Sequence, residues 1–169
     1  MKIEKLSLPW VDSTKRIQPT AIVLHWWQVP TWFGGIKWFI FALKRKKLSV
    51  QFAVTKDGEV YQLTESPDVW CRHARCANNS SIGIEIQGLG RRDLDENQLQ
   101  FQAVVGLVKE LCRQFIIDPK FRVEQGENTR FYGITSHKVV DKYCSGKRRL
   151  PKRDVHDEYV TRLIEALQR

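Results

Sequence analysis

No apolar run in this sequence is long enough to cross a bilayer. The longest, Ile36 to Leu43, is interrupted by Lys37 and falls well short of the roughly 20 residues a spanning helix needs. The N-terminus shows no secretory signal either: Met1-Lys2-Ile3-Glu4-Lys5 carries an acid, and no apolar segment follows it. Synthesis in the cytoplasm is the expectation, with any export needing outside help. Cysteine is scarce. Cys71, Cys76, Cys112 and Cys144 form no CxxC pair and are too few for a disulfide scaffold. Each alone reads as a small buried hydrophobe; a Cys71–Cys76 disulfide fits the spacing, but a reducing cytoplasm argues against it. Internal repeats, low-complexity tracts and Gly-, Pro- or Ser-rich linkers are also lacking, so residues 1–169 read as a single domain.

Acid is in short supply: 19 Asp and Glu stand against 28 Lys and Arg, a formal charge of +9. Such a balance favours an anionic partner, whether nucleic acid, an anionic membrane face or an acidic polymer such as cell wall. The basic residues concentrate at 44–47 and 147–153 rather than along one helix. With no nucleic-acid-binding signature present, no nucleic-acid partner is expected.

What is there reads as strands and helices around one sheet. Ala21-Ile22-Val23-Leu24 is continuously apolar, as in a strand buried on both faces. Val50 to Leu63 predicts a hairpin turning at Lys56-Asp57-Gly58, where Asp-Gly supplies the positive backbone angles of a tight turn. Ser81 to Ile86 predicts another buried strand, and Ile134-Thr135-Ser136 a short one. The periodicity from Asp95 to Phe115 predicts a helix capped by Asp95 with Gln98, presenting Leu99, Val104, Val105, Val108, Leu111, Cys112 and Phe115 on one face. Tyr159 to Leu167 predicts a closing helix. The fold class expected is α/β, a mixed central sheet flanked by helices.

Three residues stand where zinc chemistry needs donors. His25 ends the first buried strand, His137 follows the short strand, and Cys144 lies seven residues further on. Zinc prefers neutral imidazole and thiolate, and three protein ligands leave a fourth position for water; taken singly, each histidine reads equally as a satisfied polar residue. Glu85 interrupts the apolar strand Ile82-Gly83-Ile84-Glu85-Ile86. Either it points to solvent from an edge strand, or it is a general base whose pKa is tuned by burial. The strand alone leaves both open.

In order along the chain stand Ile22-Val23-Leu24-His25, Ser49-Val50-Gln51-Phe52-Ala53-Val54 with Lys56-Asp57-Gly58, Trp70-Cys71-Arg72-His73-Ala74, Asn79 to Gly88, and Ser136-His137-Lys138. Together they resemble the zinc N-acetylmuramoyl-L-alanine amidases, the family that includes phage amidase endolysins and peptidoglycan recognition proteins. The resemblance runs from about Ile22 to the C-terminus and implies the peptidoglycan recognition protein-like amidase fold. It implies Zn2+ held by His25, His137 and a third ligand just downstream, two residues after a lysine. Lys142-Tyr143-Cys144 has that shape, although Ser145 replaces the usual proline; Lys152-Arg153-Asp154 has it too. Thiolate is the better zinc donor and Asp154 is distant from His137, so Cys144 is preferred.

The implied reaction is hydrolysis of the amide between N-acetylmuramic acid and L-alanine. Zinc lowers the pKa of bound water to about 7, Glu85 moves the proton, and Lys142 stabilises the developing oxyanion. Lys142 also reads as one of many surface lysines. Trp70, His73 and Asn79 correspond to residues that shape the substrate groove in the family, though Trp70 reads equally as core. The tyrosine some members carry before the hairpin aromatic is Val50 here, which leaves catalysis to Glu85. The dense aromatics between Trp26 and Phe41, followed by Lys44 to Lys47, predict a helix packed on the sheet, with an exposed aromatic-basic lip as the other reading. A monomer acting on peptidoglycan or muropeptides is expected, as a lytic endolysin released by a holin or as a muropeptide-recycling amidase. The competing functions are a non-catalytic peptidoglycan-binding module and a basic nucleic-acid-binding protein.

Overall fold

The computed structural model describes residues 2–27, 35–88, 90–126, 129–144 and 154–169. In chain order the elements are β1 (Ile3–Lys5), β2 (Ala21–Trp27), α1 (Gly35–Lys46), β3 (Phe52–Val54), β4 (Val60–Gln62), a 3₁₀ turn (Arg75–Asn79), β5 (Ser81–Gln87), α2 (Arg91–Glu96), α3 (Gln98–Phe115), β6 (Arg122–Glu124), β7 (Arg130–Ser136), α4 (His137–Cys144) and α5 (Asp157–Leu167). The strands form one sheet in the order β1-β4-β3-β5-β2-β7-β6. Its centre, β3-β5-β2-β7, is parallel, with β4 and β6 antiparallel to β3 and β7. Mixed sheet and flanking helices make the α/β class expected from the sequence.

Both faces of the central strands are covered, which is why β2 and β5 read as unbroken apolar runs. One set of alternate side chains, Ile22 and Leu24 of β2 with Ile82, Ile84 and Ile86 of β5, packs on α3 and α5 through Phe101, Val104, Val108, Tyr159 and Leu163. On the other face Trp27 and Ala53 pack with Phe39 and Leu43 of α1. Beside them Ala21 and Val23 meet Ala74, Ala77 and Val140, from the 3₁₀ region and α4. Trp27 stacks on Phe39 at 4.1 Å between ring centroids, so much of the aromatic segment is core, as expected. Phe41 is 55% exposed, and Trp32 and Phe33 lie outside the described residues. No helix among the described residues is long and apolar enough to cross a membrane.

The hairpin forms as expected, β3 against β4, with Gly58 at φ +74° and its N–H donating to the Thr55 carbonyl at 3.1 Å. The long helix is corrected. It breaks at Asn97, whose side chain accepts the Gln100 N–H and caps α3; Asp95 belongs to α2 and pairs with His156. Leu99 is 65% exposed rather than inward. It precedes the buried Phe101 by two residues, about 200° around a helix, so both cannot face the core.

Candidate active site

Strand register brings the expected residues together. Parallel β2 and β5 pair His25 with Glu85, and β2 and β7 pair Leu24 with Ser136. His137 therefore follows β7 in the row beside His25, and residues in one row point to the same face of a sheet. The His25 and His137 rings lie 4.8 Å apart between centroids, and both side chains are buried. Glu85 is half-buried on a strand enclosed by β3 and β2, which removes the edge-strand alternative.

Asp154 completes the group. Pairing of β2 with β7 stops at Leu24, and the Trp26 N–H donates to Asp154 Oδ1 at 2.9 Å. The Val155 N–H donates to the same oxygen at 2.9 Å, while Asp154 Oδ2 lies 3.5 Å from His137 Nδ1. One ligand atom each from His25, His137 and Asp154 fall within 4.8 Å of one another. A tetrahedron with zinc–ligand bonds of 2.0–2.2 Å has edges of roughly 3.3–3.6 Å. The His137–Asp154 edge of 3.5 Å matches that figure, and two imidazoles with a carboxylate gathered within 4.8 Å are a donor set able to hold a metal ion with a fourth position open.

Behind these residues sits a layer of support. His25 Nε2 and His73 Nδ1 are 3.0 Å apart, and His73 Nε2 is 3.2 Å from the Ser81 carbonyl. Burial pushes the His73 imidazole down to about 4, with the nearby His137 acting in the same direction; it is neutral at pH 7. Gly83 makes room for the ring, since a Cβ there would lie 2.8 Å from His73 Cγ and Nδ1. Asn78 Oδ1 accepts the N–H groups of His73 and Ala74. On α4, Asp141 Oδ1 is 3.5 Å from His137 Nε2 and takes a 2.8 Å ion pair from Arg75 Nε. Sequence reasoning missed Asp141 and Arg75. The only signal available was that a helix beginning at His137 puts residue 141 one turn on.

Other expected residues are not brought here. Cys144 is corrected: its sulfur is bonded to Cys76. A helix starting at His137 carries the chain roughly 10 Å along its axis over seven residues, beyond reach of the histidine pair. That bond also replaces the Cys71–Cys76 pairing considered above and leaves Cys71 and Cys112 as free thiols. Burial raises both, to about 12 and about 11, so neither is a reactive thiolate. Lys142 is exposed on α4, about 140° around the helix from His137. Trp70 donates its indole N–H to Asn79 at 2.9 Å. Asn79 precedes β5, whose first residue pairs with Ala21, four residues before His25 and roughly 13 Å back along the strand. Trp70 and Asn79 thus stand apart from the histidine pair, Trp70 lining a 400 Å³ pocket with Trp10, Lys15, Lys44 and Arg72. Of the expected groove residues, His73 alone touches the site.

Residues 15–148 match the family described as N-acetylmuramoyl-L-alanine amidase. The chain belongs to this amidase family. Solved amidase structures share the fold. N-acetylmuramoyl-L-alanine amidase LysC from Clostridium intestinale URNW aligns with a TM-score of 0.65 at 17% identity, covering 96% of this chain and 97% of its own. Staphylococcus aureus hydrolase AmiA, solved with its ligand, aligns at 0.69 and 16% identity over 99% of this chain and 83% of its own. An AmpD derivative aligns at 0.61 and 18% identity over 96% and 94%. No curated protein sequence matches the amidase-family chain.

Proposed function

We propose that the chain is a zinc-dependent hydrolase of the amide between N-acetylmuramic acid and L-alanine in peptidoglycan. The observation that carries this reading is the convergence of His25, His137 and Asp154 within 4.8 Å, with Glu85 in register beside His25. His25, His137 and Asp154 would hold the ion, Asp154 taking the place expected of Cys144. Zinc in such a set supplies Lewis acidity to a carbonyl and makes water a usable nucleophile near neutral pH.

Glu85 accepts the proton of the attacking water and delivers it to the leaving nitrogen of L-alanine, as its place in the row beside His25 allows. With Asp154 as third donor, the lysine that family members carry two residues earlier corresponds to Lys152 rather than Lys142; Lys152 lies outside the described residues. The Cys76–Cys144 disulfide supports work outside a reducing cytoplasm, which favours wall lysis over muropeptide recycling.

Digestion of purified peptidoglycan with and without chelator tests the proposal, with products identified by mass. Peptide stems bearing a free L-alanine amine should appear without chelator and disappear with it. Binding to the wall without release of stems would establish the non-catalytic module instead.

A further inference from the structure

We infer that the segment His73–Cys76 positions both imidazole donors of the site, His73 holding His25 directly and Arg75 holding His137 through Asp141. This rests on the ligand set proposed above. His73 Nε2 faces the Ser81 carbonyl at 3.2 Å, an acceptor without a proton. The Ser81 hydroxyl, 3.5 Å from the same nitrogen, donates to the Ala77 carbonyl, so towards His73 it too can only accept. Nε2 therefore carries the His73 proton, and Nδ1 is left to accept from His25 Nε2 at 3.0 Å. A histidine that donates through Nε2 has its bare lone pair on Nδ1, the atom then available to a metal. The neighbouring ring is a hydrogen-bonded backstop that fixes tautomer and orientation at once.

The second imidazole is held by a different chemistry from the same segment. Asp141 Oδ1 stands 3.5 Å from His137 Nε2, leaving Nδ1, 3.5 Å from Asp154 Oδ2, to share an ion with that carboxylate. Arg75 Nε fixes Asp141 at 2.8 Å, and Arg75 adopts φ +51°, an unusual conformation for a side-chain-bearing residue. Cys76 then ties the segment to Cys144 at the far end of α4. His73 and Arg75 are positioning residues: neither belongs to the proposed ligand set, and both act on it through a partner.

The test measures zinc dissociation constants by competition with a chromophoric chelator, with the melting temperature of the zinc-free protein recorded alongside. His73→Ala and Asp141→Ala should each weaken zinc about ten- to a hundredfold, the usual cost of losing such a partner. Arg75→Ala should weaken it less than Asp141→Ala. His73→Asn should recover part of the loss, because the Asn Oδ1 stands where the accepting nitrogen stood. Alanine variants that melt like wild type and hold zinc as tightly would overturn the inference. If His73→Ala does not fold, unchanged affinity in both Asp141→Ala and Arg75→Ala overturns it. A wild-type protein that binds no zinc would instead refute the ligand set itself, and the inference with it.

Discussion

Glu85 lies half-buried between two strands, beside His25 in register, and holding a carboxylate there costs several kcal/mol unless neighbours compensate it. A general base beside the proposed ion is one role that repays such a position. Glu85→Gln keeps the shape but cannot accept a proton. The stem-release rate should fall roughly a hundred- to ten-thousandfold, with zinc content and melting temperature near wild type. A rate within a few-fold of wild type would refute the role; an unfolded variant would make Glu85 a structural partner. Among single residues, His25 and His137 were legible because each directly follows a run that reads as a strand, although β2 continues past His25 to Trp27. Asp154 was visible but ranked second to Cys144, since donor preference favours thiolate. What reversed the order was the helix that begins at His137, which spacing alone does not disclose.

At the scale of elements, the strands were the most legible part. Apolar runs covered on both faces announce themselves, and Asp-Gly fixed the hairpin turn. The break between α2 and α3 was not legible, because the Asn97 cap interrupts a periodicity that continues across it. Gly83 shows why a glycine stands inside a buried strand. Its backbone needs no special conformation; the space above its Cα belongs to the His73 ring and to Val50 Cγ2, each within 2.8 Å of where a Cβ would sit. Gly83→Ala should therefore act on the site, not only on the sheet. It should cost about 1–3 kcal/mol, the usual effect of overpacking, and weaken zinc binding by displacing His73 from His25. Calorimetric melting together with the zinc titration checks both. Lower stability with unchanged zinc affinity would mean that β5 yields and the His73 contact survives.

At the scale of the whole molecule, the cysteine and the carboxylate that competed for one role have separate ones. Cys144 closes a covalent loop with Cys76, 68 residues away in sequence, and ties the layer behind the site to the helix that His137 begins. Asp154, anchored by the Trp26 and Val155 amides, links α5 to the end of β2. Two substitutions separate these roles. Cys144→Ser should keep zinc close to stoichiometric, because the thiol is not a donor. It should nonetheless lower stability by up to about 4 kcal/mol, the chain-entropy value for a loop of this size. Reducing the wild-type protein should reproduce that loss, and reductant should leave the melting of Cys144→Ser unchanged. Asp154→Asn should behave in the opposite way. The amide can still accept the Trp26 and Val155 N–H groups, so melting without zinc changes little. An amide oxygen carries no charge to offer the ion, so zinc affinity should fall steeply. If Cys144→Ser strips the zinc and Asp154→Asn retains it, the disulfide is not the working state and the third donor is the thiolate.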